Sequence, residues 1–426
     1  MRACAGVGMN FWRGARLLGI LILGLICVSC GDQYRPVAIP IVPPAPDPQS
    51  IHFVLVLSDN GANDPGASSR LDVSGDTNIG VARLGLGPSH ATLTPSGSRV
   101  YVVNTREDSV SSYSPGTITS TAIPVVTTSL PAGSSPVFVH TTEIGTVYVA
   151  NFGSNTVAAI STSTNVVLNP LIPVGAQPVA LAETPDQKKL YAVNQGSGTV
   201  SAISLVDRTV SQTIATGTTP VWAVARSDSA RIYVLNSGSG TVSAIDSATD
   251  TLLSSVPVGA GANYMVYDSK LNRLYVTNPV ANTVTAVNVA ADPPAVLFVD
   301  PIAPSPVTVA VLPDGSRIYV ASLSLSGGAA TSQVTVVNAS DGSVRSVIPL
   351  NSVPAACGVA RFELFVAASA DSSKVYVGNC DAGNTSIIRT SDDQKVLDMP
   401  APLSAVTPPN GGNPLPQNPV FVLAGP

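Results

Sequence analysis

A phrase of six residues returns seven times along this chain: "RVYVVN" at 99, "TVYVAN" at 146, "KLYAVN" at 189, "RIYVLN" at 231, "RLYVTN" at 273, "RIYVAS" at 317 and "KVYVGN" at 374. Its tyrosines, Tyr101, Tyr148, Tyr191, Tyr233, Tyr275, Tyr319 and Tyr376, stand 42 to 47 residues apart until a last interval of 57. A period in the forties marks a unit that cannot bury both its faces alone and must stack on copies of itself. Within each unit the runs are short. An apolar segment often led by Pro ("PVALA" at 178) precedes a polar turn ("PDGS" at 313) and the Tyr strand, and two more strands follow ("NTVTAV" at 282, "TLLSSVPVG" at 251). Four antiparallel strands per repeat predict an all-β propeller of four-stranded blades. Charged residues make up only 11% of the chain, which suits many short strands and tight turns.

The repeated Tyr can bury its ring between blades while its hydroxyl finds a partner. The Asn three residues later (Asn104, Asn151, Asn194, Asn236, Asn278, Asn379, with Ser322 in the sixth unit) is expected to bond the backbone of the following turn. A residue present in every blade marks scaffold. The tetrad "YVTN" at Tyr275 to Asn278 resembles the YVTN family of β-propeller repeat proteins, and the likeness runs over about residues 51–426. It implies the fold and leaves the chemistry open, because propellers of that kind occur in surface proteins of diverse role.

The two ends complete each other. "HFVLVLSDNG" at 52, "SSRLDVSGD" at 68 and "TNIGVARLGLG" at 77 read as a blade without its first strand, with Leu55 in the Tyr place. "NPVFVLAGP" at 418 reads as a first strand without a blade. Pairing them closes a ring of eight blades and removes the free edges. Seven blades, from residue 88 to about 400, is the alternative and leaves both end segments unused.

Arg2, Arg13 and Arg16 precede the apolar "LLGILILGLICV" (17–28), so residues 1–29 read as an export signal too short to span a bilayer. "CVSC" at 27–30 resembles a bacterial lipoprotein processing site, which makes Cys30 the lipid attachment point and the membrane a partner through that anchor. Cys27 stands where Leu is usual, and simple secretion is the alternative. Gly31 follows in place of Asp, which favours the outer membrane or cell surface. Residues 30–50 form a Pro-rich tether with a reach of ~60 Å at about 3 Å per residue, and the propeller occupies 51–426. Once the signal and Cys30 are set aside, Cys357 and Cys380 remain, and an even pair in an oxidising compartment suggests a disulfide, with two free thiols as the alternative.

A net charge of −5 with only 21 Lys plus Arg leaves no basic surface for nucleic acid. Chemistry is expected on the face that carries the loops after the Tyr strand, where "SLSLSGGAATSQ" (322–333) and the stretch around "NSVPAACGVARFE" (from 351) are inserted. His90, Trp222, Tyr264 and Phe365 all stand eleven residues before a repeat Tyr, so they share one level around the channel, as a pocket or as packing between blades. Counted from the Pro, Phe138 and Phe421 join that level, with Ala180 and Thr308 in the other two blades. Asp59, Asn60, Asn63 and Asp64 offer oxygens but lack the spacing and closing Glu of an EF-hand loop, so no metal is expected there. His52, His90 and His140 are the only histidines and sit in different repeats. No serine elbow, metal cluster or phosphate-cradling glycine loop is present, and no cofactor is called for. Two functions follow: a lipid-anchored, non-catalytic propeller presenting its loop face to a protein or glycan, or a propeller hydrolase of small lactones or sugar derivatives.

Overall fold

The computed structural model describes residues 52–425 except 60, 62, 117–122, 303, 356, 358–361, 406–413 and 415. The expected signal (1–29), Cys30, the tether (30–50) and Asn60 lie outside the described residues. Eight four-stranded antiparallel sheets form the propeller, as the repeat period and the complementary ends require.

Blade 1 is assembled from both ends of the chain. Phe53–Asp59 pairs on one side with Pro65–Asp72 and on the other with the terminal strand Asn418–Ala424, with Leu55 opposite Leu423 and Leu57 opposite Phe421. All seven residues of Phe53–Asp59 are buried, so the terminal strand covers what would be an apolar open edge. Blades 2 to 8 begin on the inner strands Pro88–Leu93, Pro136–Thr141, Pro178–Glu183, Pro220–Ala225, Tyr264–Asp268, Pro306–Val311 and Leu364–Ala368. Each continues outward through its Tyr strand, which is apolar on both faces because neighbouring blades cover both. The outermost strands alternate polar and apolar residues and stay largely exposed.

The repeated Tyr is fully buried in all seven blades that carry it. Five of the hydroxyls reach the turn between the third and fourth strands of the next blade: Tyr101 donates to Asn165 (3.2 Å), Tyr191 to Asp250 (2.6 Å), Tyr233 to the carbonyl of Val289 (3.5 Å), Tyr275 to the carbonyl of Ala339 (3.2 Å) and Tyr319 to Asp393 (2.5 Å), whereas those of Tyr148 and Tyr376 make no hydrogen bond among the described residues. The cation two residues before the Tyr grips the same turn. Lys189 Nζ lies 2.7 Å from Asp250, Arg317 Nη1 2.6 Å from Asp393 and Lys374 Nζ 2.5 Å from Asp76. Arg99, Arg231 and Arg273 do the same toward Asn165, Asp292 and the Ala339 carbonyl. Six of the eight junctions are latched in this way, and Lys374 to Asp76 latches the seam between blades 8 and 1. The junction of blades 3 and 4 inverts the pattern, with Thr146 in the cation's place and Arg208 in the turn.

The repeat Asn behaves differently from the sequence expectation. In five blades its amide donates to side-chain oxygens on the third strand, as Asn104 does to Ser109 and Ser111 (2.9 Å each) and Asn194 to Thr199 and Ser201 (3.1 and 3.0 Å). Only Asn278 accepts from the turn backbone, at Val280 and Ala281. In those five blades a side-chain oxygen on the third strand takes the amide in competition with the turn backbone.

Burial pushes the hydroxyls of Tyr148, Tyr191, Tyr233, Tyr275, Tyr319 and Tyr376 upward, Tyr275 to about 12, because the phenolate would be desolvated. In the unfolded chain these tyrosines ionise near pH 10. The raised folded values therefore contribute stability that is complete below about pH 10 and is lost as pH climbs from there through them. In an ultraviolet titration these tyrosines are expected to ionise in step with the loss of β-sheet circular dichroism. Ionisation of all eleven near pH 10 in a still-folded protein would contradict the burial.

Candidate functional site

Five of the inner strands, those of blades 2, 3, 4, 5 and 7, are entered by a tight backbone reversal. Gly87, Ser135, Gln177, Thr219 and Ser305 have φ between +44° and +69°, and a Pro follows each of them. One residue later the pairing register slips, between Pro88 and His90, Pro136 and Phe138, Pro178 and Ala180, Pro220 and Trp222, and Pro306 and Thr308. A bulge of this kind re-aims side chains. It turns the residue at the shared level into the channel and leaves the extra residue (Val137, Val179 or Val221) facing the mouth above it.

The shared level is a closed circuit of rings. His90 stacks on Phe138 at 3.8 Å, Phe138 meets Trp222 edge-on at 5.5 Å, and Trp222 meets Tyr264 at 4.8 Å. Tyr264 meets Phe365 at 5.6 Å, Phe365 meets Phe421 at 4.5 Å, and Phe421 returns to His90 at 4.6 Å. Ala180 and Thr308, both buried, fill the two blades that carry no ring. Phe362, which no repeat contains, sits against Trp222, Tyr264 and Phe365 at 6.3, 5.4 and 5.7 Å and plugs one side of the circuit. His90, Trp222, Tyr264 and Phe365 therefore meet in one circuit of ring contacts around the channel.

Above this floor lies a cavity of about 500 Å³. Its wall is the residue directly after the repeat Asn in blades 2 to 5: Thr105, Phe152, Gln195 and Ser237. The backbone N–H of each donates to the carbonyl of the left-handed residue that precedes a Pro, as Gln195 does to Gln177 (2.9 Å) and Ser237 to Thr219 (2.9 Å). Ser135, Asn263 and Phe362 also line it, and among the described lining residues no side chain carries a charge. Sequence reasoning passed over these positions. The signal was there, since the column directly after the repeated phrase reads Thr, Phe, Gln, Ser, Pro, Leu and Cys.

The insertions stand on this same face. Residues 322–333 form no loop; they prolong the second and third strands of blade 7 to Arg317–Ser326 and Ala329–Asn338, joined at Gly327 and Gly328, both at positive φ as a tight hairpin turn demands. The fourth strand follows them out to Pro354, so blade 7 raises a three-stranded wall. Cys357 and Cys380 are joined by a disulfide that fastens the neighbouring insertion to blade 8. Asp59 is engaged by Arg106 at 2.7 Å, Asn63 is exposed and Asp64 is buried, and among the described residues no group of three or more His, Cys, Asp or Glu converges as a metal site.

At the far end of the inner strands His140 Nε2 lies 2.7 Å from Glu183 Oε2. Tyr148 Oη, Glu183 Oε1 and Arg208 Nη1 are each buried without a hydrogen-bond partner.

A family model described as a lactonase with a 7-bladed β-propeller matches residues 75–211, less than half of the chain. The chain is a β-propeller. AztD of Citrobacter koseri superposes with a TM-score of 0.61 at 11% identity, over 88% of this chain and 98% of that one. A hydrazine synthase chain of Kuenenia stuttgartiensis gives 0.53 at 20% identity over 72% and 96%, and a candidate 6-phosphogluconolactonase of Bacteroides fragilis gives 0.53 at 13% over 89% and 99%. Identities this low establish the fold alone. No curated protein matches the sequence significantly.

Proposed function

We propose that this chain is a lipid-anchored, non-catalytic propeller of the YVTN kind that binds a ligand of the cell envelope at the mouth of its channel. The anchor rests on Cys30 and the Arg-flanked apolar segment before it, the export signal on residues 1–29, and the standoff from the outer membrane or cell surface on the Pro-rich residues 30–50. The observation that carries the binding reading is the mouth itself: an aromatic floor across the channel, under a cavity whose described lining residues include no titratable group. General acid–base catalysis needs such groups within reach of a substrate, and the described lining residues supply none. Capture from an envelope extract on the purified chain tests the reading. A component retained by the native chain and lost with Ser237→Trp, which fills the cavity, is the expected result. Equal retention by both would move binding away from the mouth.

The second reading is hydrolysis of small lactones or sugar derivatives. Two observations favour it: the lactonase model over residues 75–211, and His140 held against Glu183 at the other end of the channel. A turnover assay on a lactone panel decides between them, since hydrolysis abolished by His140→Ala would replace the first reading with the second.

A further inference from the structure

We infer that the mouth cavity takes an uncharged, polyhydroxylated ligand, such as a neutral mono- or disaccharide unit of a glycan. This rests on the reading of the mouth as the binding face and adds the class of ligand. Charge is the first constraint. None of the described lining side chains is charged, so a phosphate or carboxylate entering the cavity would lose its water and meet no cation among them. That weighs against phosphorylated lactones as ligands.

Hydrogen-bonding capacity is the second constraint. Gln195 and Ser237 face the cavity and make no side-chain hydrogen bond within the described protein. A purely apolar ligand would cover them and leave them unsatisfied, which disfavours its binding. A carboxamide and a hydroxyl both donate and accept, which matches sugar hydroxyls that do the same. Thr105 and Asn263 are held in place beside them. Thr105 Oγ1 donates to the Pro136 carbonyl at 2.7 Å, and Asn263 Nδ2 donates to the Val307 carbonyl at 3.1 Å while its Oδ1 accepts from Thr277 at 2.9 Å. Their positions are set before any ligand arrives.

The third constraint is the pair of rings. Phe152 and Phe362 line the cavity, and Phe362 is braced by three aromatic neighbours. An aromatic face is electron-rich, and the C–H edge of a sugar ring carries the complementary polarity. Val137, Val179 and Val221 add apolar wall between these polar groups. A cavity of about 500 Å³ falls inside the range of small-ligand sites, about 300–1,000 Å³.

The test uses the purified full-length chain and saturation-transfer NMR. The neutral probes are glucose, galactose, N-acetylglucosamine, cellobiose and lactose, and the charged counterparts are glucose 6-phosphate and 6-phosphogluconate. At least one neutral sugar is expected to bind. Gln195→Ala should weaken it tenfold or more and Ser237→Trp should abolish it, with unchanged circular dichroism in both variants. Binding of the phosphorylated sugars alone would overturn the ligand class. A neutral sugar held equally by Ser237→Trp would place it outside the mouth and overturn the inference too. If no sugar binds while an envelope component is still captured in a Ser237-dependent manner, this inference fails and the mouth remains the binding face. If neither occurs, both fail.

Discussion

A chain ending at Gln417 is expected not to fold. The deletion strips the inner partner from Phe53–Asp59, a strand buried along its whole length, and removes Val420, Phe421 and Val422 from the core. Three such side chains account for about 1.5–3 kcal/mol each, and the pairing hydrogen bonds go with them. Net stabilities are only about 5–15 kcal/mol, so the loss consumes most of what holds the ring. It also opens the aromatic circuit between His90 and Phe365, which both touch Phe421. The exposed apolar edge is then free to pair with other chains. Circular dichroism and size-exclusion chromatography should show loss of the cooperative transition and large aggregates. A soluble, monomeric truncated chain with a native melting curve would mean that a ring of seven blades stands alone.

Trp222→Ala is expected to be the most damaging single substitution in the channel, at about 3–5 kcal/mol for a large buried aromatic cut to a methyl group. Trp222 is the hub where Phe138, Tyr264 and Phe362 meet. Removing it leaves a void that the inner strands cannot collapse to fill, because their backbones are fixed by the sheets on either side. Trp222→Phe keeps an aromatic contact and should cost markedly less. Urea denaturation measures both. If Trp222→Ala unfolds at the native midpoint, the circuit is not packing and the rings are poised for a ligand instead.

Much of this architecture can be read from residues. The repeat interval demands stacked blades, and the missing first strand before Phe53, answered by "NPVFV" at 418, sets the count at eight. The aromatic level follows from one offset because equal positions on equivalent strands face the same axis. What escaped has a common cause: it depends on residues outside the repeat or on pairs formed between repeats. Phe362 belongs to an insertion, so no alignment of blades could place it in the channel. The cations before the Tyr stand in six of the seven phrases, yet their role depends on a turn in the next blade, such as Asp250 for Lys189 or Asp76 for Lys374. The mouth was overlooked for a related reason. Constancy draws attention, whereas a binding surface built on a repeat must differ from blade to blade, as Thr105, Phe152, Gln195 and Ser237 do. The Asn bonds went astray because local turn chemistry was weighed without the third strand, where Ser111 and Ser201 offer better acceptors.

The closed ring supports the rest of the account, since the floor, the mouth and the latches all presuppose it. Backbone amide exchange of the peptide spanning 418–424 tests it most directly. Exchange as slow as that of residues 53–59 is the expected result; exchange within seconds, while 53–59 stays protected, would contradict it.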